Sequence, residues 1–412
     1  MAHREFNPSQ AYEKAVEVLE KASNRYGFKA SAVDGDRYEN IWARDSMICS
    51  LAALMTSRKS LIKKVKLSLS TLLKFQHRHG NIPSNVNPTT KKASYGGTAG
   101  RVDANLWFVI GFAQYIKRTN DLPFLHKHFN KLRKTMSLVH LYEFNDKGFI
   151  YVPKGGDWAD EYIQEGYVLY DEILYMRAWQ EMAWLSRKMK KHIKKYNERA
   201  ERAKQMILVN FWPERKHIDS EFVYHPTIFK KVFKQKRMKE TFFLPYFNPS
   251  GYGCRFDGFG NSLALHLLEM PKQKEKKILN YILEQFSRRT KYLLPAFYPP
   301  IFPHENDWEE LKANYSIKFR NKPHEYHNGG LWQMITGFFA AWLARHSPET
   351  AALYLHGINR ANSLGKNGEK WQFYEFIHGK KLTPGGKPLQ AWSAAATIMA
   401  HEAVFRRKEV FK

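Results

Sequence analysis

The chain has 412 residues, 43% of them hydrophobic and 15% aromatic, which excludes an intrinsically disordered protein because such chains lack the apolar side chains of a core. Its 66 lysines and arginines against 39 acidic residues give a net charge of +27, a feature of many proteins with anionic partners. Two cysteines are too few for a disulfide framework. The first residues lack the apolar stretch of a signal peptide, and no uncharged apolar run is long enough to span a bilayer, so we expect a cytoplasmic protein.

Hydrophobic periodicity predicts helices from one end of the chain to the other. Apolar side chains recur three and four residues apart, as at Leu106, Val109, Ile110 and Ala113. The predicted helices are 10–24, 45–57, 60–77, 103–118, 122–142, 168–190, 193–211, 258–270, 273–289, 330–345, 348–362 and 388–405. Strand signals are few, and the best of them, 148–153, would be one arm of a short hairpin. Because no repeat of fixed period is visible, the pattern favours one all-α domain closed on itself over a solenoid of repeats.

The positive charge is concentrated at 186–240 and 272–277. Glutamates and glutamines interrupt these runs, and their spacing is typical of solvent-exposed helix faces. No motif of a nucleic-acid-binding protein accompanies them. The sequence therefore favours solvated surface, with a polyanion-binding surface as the alternative.

Polar and aromatic residues gather in five loops, four of which directly precede predicted helices. The clusters are 38–45, 96–103, 155–161, 324–330 and 371–375. In a closed ring of helix pairs, successive loops of one kind emerge on the same face, so these clusters would line one cup. Aromatic rings stack on the apolar face of a sugar while charged groups bind its hydroxyls, and ligand sites are mostly preformed and concave. The pattern therefore predicts a carbohydrate site.

Carboxylates in two of these loops could perform acid–base chemistry. Aromatic neighbours would desolvate Asp160 or Glu375 and keep a proton on the carboxyl group near neutral pH. Glycoside hydrolysis needs one protonated and one ionised carboxyl group. By this reasoning alone Asp157 and Glu161 are equal contenders, and a loop aspartate is more often a helix cap.

Arg44, Asp45 and Asp103 stand at the starts of predicted helices and have two interpretations. Each aspartate is either a helix cap beside a surface cation or a ligand for vicinal sugar hydroxyls. The residues at 304–307 fit no standard set of metal ligands. No nucleophile elbow, dinucleotide fingerprint or phosphate-binding loop is present, so we expect neither a metal nor a cofactor.

Taken in order, several segments resemble the inverting glycoside hydrolases that are built on an (α/α)6 barrel. The resemblance is nearest to the neutral/alkaline invertase family, which is related to trehalases, amylo-1,6-glucosidases and mannosylglycerate hydrolases. The similar segments are 38–45, 100–107, 255–261, 326–332 and 390–393. The resemblance implies a single catalytic domain over 1–412, a toroid of six helix pairs with long active-site loops and at most a short β-hairpin.

The resemblance also implies roles for individual residues. It makes Asp160 the general acid, with Asp157 as the fallback, and makes Glu375, four residues before Gly379, the general base. The residues expected to bind the substrate are Trp42, Arg44, Asp45, Asp103, Trp107, Asp157, Trp158, His327, Asn328, Trp332, Trp371 and Trp392. The expected ligand is a small carbohydrate, and the resemblance implies no metal or cofactor.

Three departures from the invertase pattern leave the substrate open. Glu161 and Tyr162 follow the predicted acid where invertases carry two arginines, His378 replaces an aspartate, and 42–46 is closer to glucosidase-type members. The first hypothesis is a hydrolase of a small glucoside or disaccharide of the sucrose type. The second is an exo-acting α-glucosidase, an amylo-1,6-glucosidase-type or a mannosylglycerate-type hydrolase. The third is a non-catalytic helical toroid that binds carbohydrate or a polyanion.

Overall fold

The computed structural model describes residues 7–33, 39–191, 193–315, 317–366 and 368–412. Helices dominate these residues. They are α1 (Pro8–Lys21), α2 (Ala43–Thr56), α3 (Lys59–Lys74), α4 (Val102–Thr119), α5 (Leu122–His140), α6 (Leu169–Lys188), α7 (Lys194–Asn210), α8 (Pro226–Val232), α9 (Gly258–Leu267), α10 (Lys272–Gln285), α11 (Trp308–Ala313), α12 (Gln333–Leu343), α13 (Pro348–Ser363) and α14 (Ala391–Arg406). None of these helices is long and apolar enough to cross a membrane.

Six helices form a closed inner ring. Helices α2, α4, α6, α9, α12 and α14 contact one another in that order, and α14 returns to α2. Helices α1, α3, α5, α7 and α13 pack against the outside of this ring. Helix α10 completes the outer layer, where its Tyr281 ring lies 5.2 Å from the ring of Phe256, two residues before α9. The structure therefore confirms the predicted all-α fold, an (α/α)6 barrel.

The side chains explain which helices lie inside. Every residue of α12 is buried, as expected for a helix that is apolar on all sides. Outer helix α3 buries only a stripe that includes Leu61, Val65 and Leu69, and it exposes lysines on its other face. Where inner helices cross, small residues allow close packing: a Cβ atom at Gly337 of α12 would lie 2.6 Å from the Cα atom of Ala396 in α14.

Short strands join the ends of the helices. They are β1 (Ser23–Asn24), β2 (Gly27–Phe28), β3 (Ile41–Trp42), β4 (Asn85–Asn87), β5 (Lys92–Ser94), β6 (Tyr167–Val168), β7 (Tyr246–Asn248), β8 (Gly251–Tyr252), β9 (Phe256–Asp257), β10 (Phe297–Tyr298), β11 (Phe376–Ile377) and β12 (Pro384–Gly385). The strands pair as β1-β2, β3-β4-β5, β6-β7-β8, β9-β10 and β11-β12, all antiparallel. Strands β3, β6 and β9 lead directly into inner helices α2, α6 and α9, and so fix where those helices begin.

Each predicted helix is present, with ends displaced by a few residues. The structure adds α8 and α11, which are too short to produce a helical period in the sequence. The strand predicted at 148–153 is wrong, because only Val152 pairs there, in an isolated bridge to Gly166. The short strands were missed because two or three residues are too few to show an alternating pattern.

Candidate active site

One cleft, about 880 Å³ in volume, lies where the inner helices begin. The starts of α2, α12 and α14 contribute to its wall, together with the loops that precede α4 and α6. The predicted site residues that line it are Trp42, Arg44, Asp45, Trp158, Asp160, His327, Trp332, Glu375 and Trp392. Loops from opposite ends of the sequence therefore meet in one cup, because the ring closes between α14 and α2. Tyr38, the first residue of the cluster 38–45, lies outside the described residues.

The other predicted site residues do not line this cleft. They are Asp103, Trp107, Asp157, Asn328 and Trp371. Asn328 is buried and exchanges hydrogen bonds with the main chain of Ile301, accepting at 2.6 Å and donating at 2.9 Å. The Trp371 ring lies 6.1 Å from the ring of Phe373.

A buried network holds the side chain of Arg44. The indole N–H of Trp107 donates to the hydroxyl oxygen of Tyr170 at 2.6 Å, and this hydroxyl donates to the Asp103 carboxylate at 3.0 Å. Arg44 donates to the same carboxylate oxygen at 2.8 Å. Asp103 and Trp107 are both fully buried. The network fixes the guanidinium group of Arg44 at the cleft from behind.

Neither Asp45 nor Asp103 caps a helix, so the cap interpretation is wrong. The N-cap positions of α2 and α4 are Trp42 and Arg101, and no side chain caps either helix. Asp45 lies in the first turn of α2, where a negative charge is favourable, and its side chain lines the cleft. Burial raises the pKa of Asp45, and the adjacent guanidinium group of Arg44 opposes that rise.

Main-chain groups fix the carboxylate of Glu375. The residue is only 6% exposed, and the peptide N–H of Lys387 donates to its carboxylate at 3.4 Å. Gly386 has a φ of +76°, and a Cβ atom there would lie 2.3 Å from the Glu375 Oε2 atom. Burial raises the pKa of Glu375 to about 7, although the charge of Arg320 opposes the rise. The side chain can thus change its protonation state near neutral pH.

The carboxylate of Asp160 is held by a side chain. Arg101 Nη2 donates to it at 2.7 Å, and the Asp160 side chain is 28% exposed. Asp160 lies on the loop 153–166, which we call the acid loop. Asp157, 1% exposed, supports this loop by accepting the peptide N–H of Ala159 at 2.8 Å. Burial, and next the charge of Asp103, raise the pKa of Asp157 to about 8.

Sequence reasoning missed the role of a second arginine. Arg320 donates through Nε at 3.1 Å and Nη2 at 2.7 Å to the two carboxylate oxygens of Glu161. Its guanidinium carbon lies 4.0 Å from the ring centroid of Tyr326. Arg320 belongs to a segment without helical periodicity, and no sequence signal connects it with Glu161. For Arg101, the one sequence signal of a role in the site was its position within the polar cluster 96–103.

Three aromatic side chains on the cleft wall have polar atoms without a partner. The indole nitrogens of Trp158 and Trp392 and both ring nitrogens of His327 are buried and make no hydrogen bond to any described residue. Burial lowers the pKa of His327 far below its usual value, which leaves a neutral ring with one donor and one acceptor. Leaving a buried polar atom unpaired costs about 1–3 kcal/mol, so such groups call for an explanation. A ligand rich in hydroxyl groups would supply the missing partners.

A different cluster, outside this cleft, has the spacing of metal ligands. Candidate ligand atoms of His140, Glu143 and Asp146 lie within 4.8 Å of one another. Protein groups already engage two of these residues, since Arg199 contacts His140 Nε2 at 2.7 Å and the Gly148 N–H donates to Glu143 at 3.1 Å. The arrangement fits an ion-pair cluster better than a metal site.

The barrel, the cup at the start of its inner helices and the carboxylates in that cup define a class of protein. The chain is a glycoside hydrolase of the (α/α)6-barrel type. Its family is that of the alkaline and neutral invertases, whose sequence model matches residues 16–406. The resemblance found in the sequence is thereby confirmed. No curated protein sequence matches the chain.

Solved structures share the fold at low sequence identity. The mannosylglycerate hydrolase of Thermus thermophilus, in complex with Tris and D-glycerate, has 13% identity and a TM-score of 0.66, over 94% of this chain and 99% of that one. A bacterial glucoamylase complexed with acarbose has 14% identity and a TM-score of 0.66, over 97% of this chain and 56% of that one. The glucoamylase of Saccharomycopsis fibuligera has 11% identity and a TM-score of 0.61, over 97% and 95%. At such identities the likeness concerns the fold alone.

Proposed function

We propose that the enzyme hydrolyses the glycosidic bond of a small glucoside or disaccharide with inversion at the anomeric carbon. Asp160 donates a proton to the leaving oxygen, and Glu375 accepts a proton from the attacking water. One observation carries the proposal: both carboxylates line the same aromatic cleft. The bond from the anomeric carbon to the leaving oxygen breaks as the bond to the water oxygen forms on the opposite face.

The charge of Glu375 gives this mechanism a pH dependence. A general base must be ionised, and burial raises the pKa of Glu375 to about 7. Below that pH the carboxyl group keeps its proton and cannot accept another from water. The ionised fraction of Glu375, and with it the activity that depends on this base, should therefore rise as the pH increases through about 7.

We propose that the innermost sugar is bound by polar groups on the cleft wall. Arg44 and Asp45 bind neighbouring hydroxyl groups, and the indole N–H groups of Trp158 and Trp392 with the ring of His327 bind others. These buried nitrogens, which have no partner among the residues that the structure describes, support this assignment. The residues proposed to support the wall from behind, without touching the sugar, are Asp103, Trp107, Asp157 and Asn328. For Trp371 a sugar contact stays a prediction.

Two substrate classes compete. Sucrose is the first, because the family is that of the invertases. An α-glucoside at a chain end or an isomaltose- or mannosylglycerate-type glycoside is the second, because Glu161 and Tyr162 stand where the invertase pattern has arginines. Glu161 also forms an ion pair with Arg320, so the charges on that part of the cleft wall differ from those of the invertase pattern. In either class a cup of about 880 Å³ favours a small molecule or a chain end over the interior of a polymer.

Proton NMR of the reaction mixture tests mechanism and substrate together. The purified protein is mixed separately with sucrose, trehalose, isomaltose, maltose and mannosylglycerate, and the anomeric signals are followed from the first minutes. We expect one sugar to release the inverted anomer first. Both Asp160→Asn and Glu375→Gln should lower turnover by about 10²- to 10⁴-fold, since each removes one acid–base group.

The exposed Glu349 of outer helix α13 provides the matched control. Glu349→Gln removes one carboxylate away from the cleft and should leave turnover unchanged. Early release of the retained anomer would contradict inversion. Full activity in Glu375→Gln would show that another group is the base.

A further inference from the structure

A segment after α10 is fastened to the acid loop. We call residues 308–315 and 317–321 the crossing segment; several of its side chains line the cleft beside the acid loop. Four side-chain contacts join the two: Lys154 with Glu310, Asn314 with the Tyr162 carbonyl, Arg320 with Glu161, and Asn321 with the Glu161 carbonyl at 2.6 Å. Half of these contacts are made to Glu161, the residue that follows Asp160.

Arg320 makes the most directional of these contacts. Its guanidinium group engages both Glu161 oxygens at 3.1 and 2.7 Å, and the Glu161 side chain is only 8% exposed. A planar two-point contact fixes orientation as well as distance, which a lysine ammonium group cannot do. The Tyr326 ring, 4.0 Å from the guanidinium carbon, supports the group on one face. Because Glu161 is the next residue after Asp160, this contact constrains the direction in which Asp160 points.

The same arginine lies near the base, since Arg320, Tyr326 and Glu375 all line the same cleft. Among the described residues, the charged or titratable groups with the largest influence on Glu375 are Arg320, Asp45 and Asp160, with Tyr326 also close enough to interact. Burial raises the pKa of Glu375, the two aspartates add to that rise, and Arg320 is the cation that opposes it. Burial also keeps Tyr326 protonated by raising its pKa. Among these groups, then, one positive charge favours the ionised base.

We infer that Arg320 is a positioning residue that couples the two carboxylates of the reaction. Through Glu161 it holds the acid loop and so orients Asp160, while its positive charge favours the ionised form of Glu375. The inference rests on the proposed roles of Asp160 and Glu375. The two effects need different properties of the side chain: orientation needs the planar fork of arginine, whereas the effect on the base needs only a cation.

The effect on the base can be measured without a substrate. The full-length protein is labelled with ¹³C at the glutamate carboxyl carbons, and the Glu375 signal, identified by its loss in Glu375→Gln, is titrated by NMR. We expect Arg320→Met to move the Glu375 midpoint upward by about one pH unit. Arg320→Lys should leave it nearly unchanged. The exposed Lys322 provides the control, since Lys322→Gln removes a neighbouring charge that does not line the cleft.

The effect on the acid is measured on whichever sugar the enzyme turns over. Arg320→Lys should lower kcat about tenfold or more while the acidic limb of the pH profile stays in place, because the fork is lost and the charge is kept. Arg320→Met should lower kcat and also move the acidic limb to higher pH. Lys322→Gln should do neither.

Glu161→Gln keeps the inference testable if Arg320→Met does not fold. It leaves the arginine in place but removes its ionic partner, so kcat should fall while the Glu375 midpoint stays or moves downward. An unchanged Glu375 midpoint in a folded Arg320→Met protein, or an upward shift in Glu161→Gln, would overturn the effect on the base. Wild-type kcat in Arg320→Lys would overturn the positioning role. If no sugar is hydrolysed but the midpoint shifts as expected, the proposed function fails and the charge effect stands.

Discussion

The two catalytic carboxylates that we propose are held in different ways. Glu375 is 6% exposed and lies against the main chain of residues 386 and 387. Asp160 is 28% exposed and is held by the side chain of Arg101, itself 17% exposed. A main-chain contact has no rotamers to lose, whereas a partly exposed ion pair weakens as solvent and salt reach it. The base thus has a fixed place, whereas the ion pair that holds the acid is open to solvent and salt.

The largest expected effect comes from disturbing the fixed side. In Gly386→Ala the new Cβ atom would lie 2.3 Å from the Glu375 Oε2 atom, so the carboxylate must move. A displacement of about 1 Å can lower a catalysed rate about 100-fold, and we expect a loss of that order in kcat. Gly368→Ala is the matched control, because Gly368 also has a positive φ, +81°, but no heavy atom of the described residues beyond its chain neighbours lies within 4 Å of a new Cβ. Equal activity in the two variants would contradict main-chain positioning of the base.

A smaller effect is expected on the acid side. The guanidinium group of Arg101 is the side-chain donor that orients the Asp160 carboxylate. Arg101→Gln shortens this donor and removes its charge, so kcat should fall about tenfold because the carboxylate is less well placed. The acidic limb of the pH profile, set by Glu375 near pH 7, should stay in place. The comparison variant Arg101→Lys keeps the charge and should lose less activity; wild-type kcat in Arg101→Gln would show that the ion pair does not position the acid.

The smallest effect is expected from salt. Raising the ionic strength from about 0.05 M to about 0.5 M shortens the screening length severalfold and weakens the exposed pair of Arg101 and Asp160. The value of kcat should then fall by less than about twofold, because a partly exposed ion pair contributes little and is screened. The acidic limb of the pH profile, governed by the buried Glu375, should change little. The fall in kcat should vanish in Arg101→Gln; an equal fall in that variant would show that the salt acts elsewhere.

The helices of the barrel were predictable because each follows a local rule. Outer helix α3 shows the amphipathic stripe of a helix against a core, and inner helix α12 is apolar on all sides. The residues at which the helices begin were less predictable. Helix α2 begins two residues before its predicted start at Asp45, because strand β3 pairs with β4 and fixes where the chain enters the helix. That pairing joins segments more than forty residues apart, and no local pattern records it.

The residues of the site were likewise predictable only in part. Trp158 and His327 could be proposed because unusual residues concentrate in loops at helix starts, and ring closure brings such loops to one end. Trp392 was proposed from the family resemblance of 390–393, and it lines the same cleft. That concentration does not predict which of these residues line the cleft and which support its wall from behind. Asp103 belongs to a cluster of the same type as Arg44, and Trp107 follows it in α4, yet both lie behind Arg44 in the network through Tyr170.

The sequence by itself determined the helices, the family and the loops that carry the polar and aromatic residues, because periodicity and ordered motifs are properties of neighbouring residues. Only the tertiary structure decided how the carboxylates are held. The partners of Asp160 and Glu161, which are Arg101 and Arg320, come from distant segments, and the burial that raises the pKa of Glu375 to about 7 depends on the whole cup. Ion pairing and desolvation depend on distances through space, and the folded chain alone sets those distances.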